Sequence, residues 1–388
     1  MEKEGRRYKI IRMATIPESI DTFCKDLLRE LSAEYEVIAL SSLQPALERV
    51  KKREGVRVIP VEINRRISPI KDLISLWRLI KTFKKERPDI VHSMTPKAGL
   101  LGMCAAKIAG VKFRVHSFTG LVFPTATGFK RLILKTTDKL TCFCATHLLP
   151  EGEGVKRDLQ NNRITTKELK VLGHGNIRGI DLEHYSRSAE VEKMALSIRE
   201  PELFTFLFVG RIVKDKGVNE LVEAFLRLNE EFLKTRLILI GGKDSGIDPI
   251  NHLIQKEIDN NPKILEVGLQ SDVRPWYAAV DCFVLPSYRE GFPNSVIEAG
   301  AMGLPCIVTD INGANEIILE GENGIIVPPK SVDALYLAMK EMLINIEKRQ
   351  KMANSARELV AERYERSYVW ACLKEFYASL LKPQSPKQ

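Results

Sequence analysis

Two carboxylates, Glu290 and Glu298, stand near each other in the stretch Pro286-Ser-Tyr-Arg-Glu-Gly-Phe-Pro-Asn-Ser-Val-Ile-Glu-Ala299. The apolar run 282–285 before them predicts a buried parallel strand, and the residues from about Ser295 onward predict a helix. Gly and Pro break the chain between the two. Open α/β sheets bind ligands where a strand's carboxyl end feeds a helix. The spacing therefore predicts two acids that hold different parts of one extended polar ligand.

The same acids also have ordinary structural explanations. Ser295-x-x-Glu298 matches a capping box, in which the glutamate would bond the first backbone amides of the helix. For Glu290 the ordinary explanation is an acidic side chain in a loop that contacts only solvent. This stretch alone leaves both explanations open, so the choice depends on the rest of the chain.

A pair of cations follows another predicted strand end, in Phe208-Val-Gly-Arg211-Ile-Val-Lys-Asp-Lys216-Gly217. Arg offers a fork for two phosphate oxygens, Lys offers a point charge, and helix-start amides add donors. The alternative is a surface pair neutralised by Asp215 or Glu220. Cations for a diphosphate and carboxylates for vicinal hydroxyls together fit a nucleotide-sugar.

The chain has no Asp-x-Asp pair that would hold a metal on such a diphosphate. It also has no Gly-x-Gly-x-x-Gly after a predicted strand, which argues against a dinucleotide. We therefore expect no metal and no cofactor, with Arg211 and Lys216 neutralising the leaving group.

Length and charge narrow the class of protein. With 388 residues, 44% of them hydrophobic, the chain predicts two globular domains. Residues 1–190 carry a formal charge of +13 and the remainder −4. The positive half suits an anionic partner such as a membrane surface, a lipid diphosphate or nucleic acid, and scattered solvated lysines are the alternative. No signal peptide, spanning helix or disulfide framework is apparent, so we expect a cytoplasmic protein, peripheral on the inner face of the membrane.

Strand and helix patterns alternate along both halves, which predicts parallel sheets covered by helices. A single helix is expected over 19–31, strands near 148 and 171, and a last helix over 351–381. We place the first domain at 1–185 and the second at 186–388, with 366–381 crossing back to the first.

The second half resembles the group 1 (family 4) retaining glycosyltransferases. The resemblance rests on Gly210-Arg211…Lys216-Gly217, on Pro286 to Ala299, and on Gly303-x-Pro305 and Gly313-x-x-Glu316. It implies an α/β GT-B fold: two Rossmann-like, doubly wound parallel-sheet domains that face a cleft. It assigns Arg211 and Lys216 to the donor diphosphate. The full donor-binding set that it implies is Gly210, Arg211, Lys216, Gly268, Leu269, Glu290 (sugar), Gly291, Phe292, Pro293, Asn294, Ser295 and Glu298 (ribose).

The first half is similar to capsule and glycan-assembly transferases with lipid-diphosphate acceptors and UDP-N-acetylhexosamine donors, through Asp89-Ile-Val-His92-Ser-Met-Thr95-Pro-Lys97. His92, Thr95 and Lys97 are thus acceptor candidates. Many relatives have Thr-x-His-Gly after the fifth strand, where this chain has Thr119 in the histidine position. His116 would point to the opposite face of its strand. The catalytic candidates are Arg211, Lys216, Glu290, His116 and Thr119, and a structural role is the alternative for both histidines.

These observations predict a retaining hexosyltransferase that moves a sugar, an N-acetylhexosamine by resemblance, from a UDP-sugar to a lipid-linked saccharide. The resemblance implies a reaction on one face of the sugar that needs no protein nucleophile, and the chain offers no Ser/His/Asp or Cys/His signature. The alternatives are a UDP-sugar 2-epimerase and a non-catalytic sugar-nucleotide-binding subunit. Nucleic acid fits the charge but no motif, so we expect no nucleic-acid partner.

Overall fold

The computed structural model describes residues 2–3, 6–65, 68–243 and 248–382. The chain forms two compact units. Unit 1 comprises Met1–Gly179 together with Arg366–Gln388, and unit 2 comprises Ile180–Glu365. The chain thus passes from one unit to the other after Gly179, a few residues before the division expected from the sequence, and residues 366–381 form a helix of unit 1.

The elements are numbered in chain order. The strands are β1 Glu2–Lys3, β2 Arg6–Arg7, β3 Lys9–Met13, β4 Glu36–Ser41, β5 Arg57–Pro60, β6 Ile90–Met94, β7 Phe113–Phe118, β8 His147–Pro150, β9 Phe204–Val209, β10 Thr235–Ile240, β11 Ile264–Gly268, β12 Cys282–Leu285, β13 Cys306–Thr309 and β14 Gly324–Val327. The helices are α1 Pro17–Phe23, α2 Leu27–Ser32, α3 Pro45–Glu54, α4 Pro69–Glu86, α5 Pro96–Ile108, α6 Gly128–Cys144, α7 Glu153–Asn161, α8 Ala189–Leu196, α9 Val218–Glu231, α10 His252–Asn260, α11 Arg274–Ala278, α12 Asn294–Ala301, α13 Ala314–Ile317, α14 Val332–Ile344, α15 Ile346–Tyr364 and α16 Arg366–Leu381.

Unit 1 is built on a six-stranded parallel sheet in the order β5-β4-β3-β6-β7-β8. The central strands β3 and β6 are buried on both faces, and their buried residues include the polar Arg12 and His92. Helix α16 closes one face, where Phe376 and Tyr377 pack against Ile10 and Ile90. Lys374 on the same helix pairs with Glu30, at 3.0 Å.

Unit 2 repeats the plan with a parallel sheet in the order β11-β10-β9-β12-β13-β14. The two central strands are in register at Phe206–Cys282 and Leu207–Phe283. In both units the chain starts at the sheet centre, runs to one edge, and returns to build the other half, which is the Rossmann strand order. The expected doubly wound α/β class is confirmed for each unit.

Three local predictions were wrong. The helix expected over 19–31 is two helices, because Asp26 takes a left-handed conformation (φ +62°) between α1 and α2. Buried Glu54 fixes this break by accepting hydrogen bonds from the backbone N–H groups of Asp26 (2.9 Å) and Arg29 (3.1 Å). The strand near 171 is only a bridge between Leu148 and Leu169. The last helix, expected over 351–381, is two helices, α15 and α16, which are separated at Glu365. Strand β14 was also missed.

None of the helices within the described residues has the length and apolar composition needed to cross a lipid bilayer.

Candidate functional site

The predicted donor residues meet at the centre of the unit 2 sheet. Strands β9 and β12 are neighbours, but their connections leave toward opposite edges, so a crevice opens beyond their carboxyl ends. Arg211 and Lys216 lie in the connection after β9, and Glu290 lies in the connection after β12. The strand order thus brings together residues almost eighty positions apart in the sequence.

Lys216 and Glu290 are in direct contact at this crevice. The Lys216 Nζ donates to Glu290 Oε1, and the two side chains are only 19% and 14% exposed. An ammonium has three N–H donors, so Lys216 retains donors for a further acceptor while it positions the carboxylate. Arg211, on the same connection, is exposed to solvent.

The connection after β12 is held rigidly against the connection after β9. The Arg289 guanidinium donates to Asp215 Oδ2 from Nε (3.0 Å) and from Nη2 (2.9 Å). The backbone N–H of Tyr288 donates to the carbonyl of Asp215, at 2.8 Å. Gly217 has φ +69°, and a Cβ there would stand 2.0 Å from the carbonyl oxygen of Pro286. Only glycine therefore allows the two connections to approach this closely.

Glu298 is not part of a capping box. Helix α12 begins at Asn294 with Pro293 as its N-cap and no side-chain cap, so Glu298 is the fifth helical residue. Its side chain is buried, and the hydroxyl of Tyr277 donates to Glu298 Oε2 (3.4 Å) and to the carbonyl of Ser295 (3.2 Å). Burial, with the nearby Glu298, raises the pKa of Tyr277 well above its ordinary value and keeps it a donor.

The other predicted donor residues differ in whether their side chains or only their backbone atoms are accessible to a ligand. Phe292 is buried and packs on Tyr364 with ring centroids 5.5 Å apart, so its side chain belongs to the core. Pro293 is also buried, which leaves the backbone near Gly291 and the half-buried Asn294 and Ser295 as possible contacts. Gly210 follows β9, Gly268 ends β11, and Leu269 beyond it is 82% exposed, all at the carboxyl edge of the sheet.

In unit 1 the structure places His92 inside the domain. Its Nδ1 lies 2.6 Å from Arg12 Nη1 and 2.6 Å from the Tyr377 hydroxyl, and its Nε2 lies 2.7 Å from Ser117 Oγ. Burial, reinforced by Arg12, lowers the pKa of His92 well below its ordinary value. These contacts tie the His92 ring on β6 to α16 and favour the structural role that was the alternative.

His116 is equally enclosed. Its Nδ1 lies 2.9 Å from Ser93 Oγ, and burial lowers its pKa to about 3. Helix α5 passes directly above the ring, since a Cβ on Gly99 would stand 2.3 Å from His116 Cε1. Lys97 pairs with Asp72 at 2.7 Å and is 14% exposed. Of the unit 1 candidates, Thr95, His116 and Thr119 line a cavity at the carboxyl edge of the sheet together with Asp138.

Three features of the structure were not predicted from the sequence: Tyr277, the Asp215–Arg289 pair and Asp138. Tyr277 lies on a five-residue helix and Asp138 on an otherwise basic one, so neither carries a motif. Asp215 was considered only as a partner for the site cations, whereas it holds the opposite connection in place.

Comparison with known proteins decides the family. The family model described as "Glycosyl transferases group 1" matches residues 192–359, and the family model described as "Glycosyl transferase 4-like" matches residues 13–147. The capsular polysaccharide biosynthesis glycosyltransferase CapM of Staphylococcus aureus is 30% identical over 389 residues, covering 98% of this chain and all of CapM. The chain belongs to the group 1 glycosyltransferases. It is therefore a glycosyltransferase, as its motifs predicted.

Other glycosyltransferases are similar to this chain over most of its length. The UDP-Gal:alpha-D-GlcNAc-diphosphoundecaprenol alpha-1,3-galactosyltransferase of Escherichia coli is 30% identical and covers 71% of each chain. The N,N'-diacetylbacillosaminyl-diphospho-undecaprenol alpha-1,3-N-acetylgalactosaminyltransferase of Campylobacter jejuni is 27% identical, covering 81% of this chain and 86% of its own. Anabaena HepE, solved with UDP-glucose, superposes with a TM-score of 0.79 at 17% identity over 96% of this chain and 99% of HepE, which confirms the GT-B fold.

Proposed function

We propose that this glycosyltransferase moves an N-acetylhexosamine, with retention, from a UDP-sugar to a hydroxyl of a lipid-linked saccharide. The observation that carries the donor half is the pairing of Lys216 with Glu290 at the unit 2 crevice. It joins a cation suited to phosphate and an acid suited to sugar hydroxyls at one point.

Each donor residue receives a role from its position. Arg211 and Lys216 bind the diphosphate, and Glu290 accepts from hydroxyls of the transferred sugar. Glu298 binds the ribose diol, and the hydroxyl of Tyr277 orients its buried carboxylate by donating to Oε2. Gly268 and Leu269 line the base, and backbone amides near Gly291 approach the sugar and phosphate.

The proposed reaction runs on one face of the sugar. The bond from the anomeric carbon to the diphosphate oxygen breaks as the acceptor oxygen bonds to the same face of that carbon. The acceptor proton passes to the departing phosphate oxygen. Arg211 and Lys216 neutralise the negative charge that develops on the diphosphate, without a metal.

The relatives support the substrate classes. The Escherichia coli relative's name specifies UDP-Gal and a GlcNAc-diphosphoundecaprenol acceptor, and the Campylobacter jejuni name specifies N-acetylgalactosaminyl transfer to a diphospho-undecaprenol saccharide. The CapM name places that relative in capsular polysaccharide biosynthesis. We propose the same assembly chemistry, in the cytoplasm, for this chain.

The test is a panel of UDP- and GDP-sugars incubated with a short-chain lipid-diphosphate saccharide. We expect transfer from UDP-N-acetylhexosamines, and NMR of the product should show the anomeric configuration of the donor. Inversion would refute retention. A new UDP-sugar formed without acceptor would favour the epimerase, and tight UDP binding without turnover would favour the non-catalytic subunit.

We further propose that unit 1 docks on an anionic membrane through helices α4 and α6. These helices carry nine basic and three acidic residues. They also expose large apolar side chains, namely Ile70, Leu73, Ile74 and Trp77 on α4 and Phe129, Leu132, Leu140 and Phe143 on α6. Helix α5 packs against both. Apolar side chains ringed by lysines suit a bilayer surface of negative charge.

Vesicle co-sedimentation tests this docking. Binding to vesicles with anionic phospholipid should exceed binding to neutral vesicles and should weaken as salt rises. Trp77→Glu should reduce binding, whereas Leu337→Glu, at a 61% exposed position of unit 2, is the matched control. Equal binding of the two variants would refute the assigned surface.

A further inference from the structure

A small cavity in unit 1 contains a carboxylate that the roles assigned above do not use. The cavity lies at the carboxyl ends of β6 and β7, and its polar lining consists of Thr95, His116, Ser117, Thr119, Thr137 and Asp138. Asp138 reaches it from the middle of α6. This edge of a parallel α/β sheet is the usual place for ligands.

Asp138 is half-buried, and within residues 6–65, 68–243 and 248–382 no hydrogen bond or ion pair engages its carboxylate. Burial accordingly raises the pKa of Asp138 to about 7. A partly buried acid without a partner is costly to keep unless it is used by a ligand.

The surrounding cations are directed elsewhere. Lys135, one turn earlier on α6, donates to Asn162 Oδ1 at 3.4 Å. On the adjacent helix α5, Lys97 pairs with Asp72 and Lys107 lies over the ring of Phe143. Lys139 is exposed, and His116 is neutral. No nearby charge in the described structure therefore explains the acid as half of an ion pair.

The backbone of the cavity lining is strained at Thr95. Thr95 has φ +76° and ψ 141°, a conformation that β-branched residues avoid. It is held there by Thr15, whose backbone N–H donates to Thr95 Oγ1 at 3.1 Å and whose hydroxyl lies 2.9 Å from it. Strain of this kind persists where the surrounding structure fixes a binding geometry.

We propose that the Asp138 carboxylate accepts a hydrogen bond from one hydroxyl of the acceptor saccharide, with Thr95 and Thr119 flanking that hydroxyl. This inference rests on the proposed transfer to a saccharide. The cavity volume of about 20 Å³ fits one water-sized group. It therefore takes a single substituent of the sugar while the ring stays outside, so Asp138 selects the acceptor by that substituent.

The test compares Asp138→Ala and Asp138→Asn with Glu168→Gln, which alters an exposed acid of the same unit outside the cavity. Loss of a hydrogen bond to a charged group corresponds to about a 10- to 100-fold change in an equilibrium constant. We expect the KM for the lipid-diphosphate saccharide to rise by that factor in Asp138→Ala and less in Asp138→Asn. UDP affinity and acceptor-free donor hydrolysis should stay within about twofold of wild type.

Acceptor analogues that each lack one hydroxyl give the decisive readout. Wild type should discriminate against one analogue, and Asp138→Ala should lose that discrimination. An unchanged acceptor KM in Asp138→Ala, or undiminished discrimination, would overturn the inference.

If wild type transfers no sugar, the proposed function fails, and the inference is judged by calorimetric binding of the same lipid-diphosphate saccharide. Weaker binding to Asp138→Ala supports it, and equal or absent binding overturns it.

Discussion

Replacing Asp138 by Asn should make the protein more stable, and the gain should depend on pH. Burial raises the pKa of this carboxyl from 3.8 to about 7 in the folded protein. An acid whose folded pKa lies above its unfolded pKa is harder to ionise when folded, so ionisation favours unfolding. The destabilisation is absent below the unfolded pKa, grows as pH rises between the two values, and is constant above the folded pKa.

The magnitude follows from the two pKa values. A pKa difference of about three units between the unfolded and folded protein destabilises the folded state by about 4 kcal/mol at pH values above the folded pKa. When the pH rises from about 4.5 to about 8, the free energy of unfolding of the wild type should therefore fall by about 3 kcal/mol relative to that of Asp138→Asn. The cost of burying the asparagine amide in the variant does not depend on pH, so it cancels when the two pH values are compared. In a unit of this size about 3 kcal/mol corresponds to a relative Tm change of roughly 6–12 °C.

Thermal unfolding of both proteins across this pH range, with Glu168→Gln as control, measures the effect. The control should follow wild type at every pH, because Glu168 is exposed. A constant Tm difference between wild type and Asp138→Asn, or a variant that is less stable at high pH, would refute the reasoning. Higher stability with weaker acceptor use would identify Asp138 as a residue kept for binding.

Three further predictions concern unit 2. Lys216→Ala should lower kcat by about 10²–10³, whereas Lys214→Ala, an exposed lysine on the same turn, should stay near wild type; comparable rates for both would contradict charge stabilisation. Tyr277→Phe removes a hydrogen-bond donor from buried Glu298 and should weaken UDP binding by about tenfold in calorimetry. The loss of affinity should be smaller for 2′-deoxy-UDP. Equal losses for the two nucleotides would argue against the assignment of Glu298 to the ribose. Gly217→Ala should lower Tm and abolish UDP binding, and a variant that binds normally would contradict the close approach of the two connections.

The common location of the candidate donor residues was largely predictable because they follow strand ends. Apolar runs mark strands, and alternation with helices implies parallel pairing, so Arg211, Lys216 and Glu290 had to lie on one edge of a sheet. The contact between Lys216 and Glu290 was not predictable, since it depends on β9 and β12 being neighbours. Glu298 also satisfied a local capping pattern, but α12 starts one residue before Ser295 and removes that explanation.

The environment of the candidate acceptor residues was less predictable because central parallel strands are buried on both faces. Both faces of β6 and β7 are covered, so the alternation of side chains between the two faces does not distinguish a buried structural histidine from a functional one. His92 and His116 are both enclosed, and only the packed α16 and α5 reveal it. Asp138 was missed because its character arises from desolvation and the absence of partners, which are properties of tertiary packing.

The return of α16 to unit 1 orders the folding of this protein during its synthesis. Unit 2 is continuous and can fold as soon as it leaves the ribosome, whereas unit 1 lacks a piece of its core until residues 366–381 emerge. Until then Ile10 and Ile90 have no cover from Phe376 and Tyr377, and Arg12 lacks the hydroxyl that accepts its hydrogen bond. The nascent first half therefore exposes this apolar surface until residues 366–381 are synthesised, and we expect a chaperone to bind there.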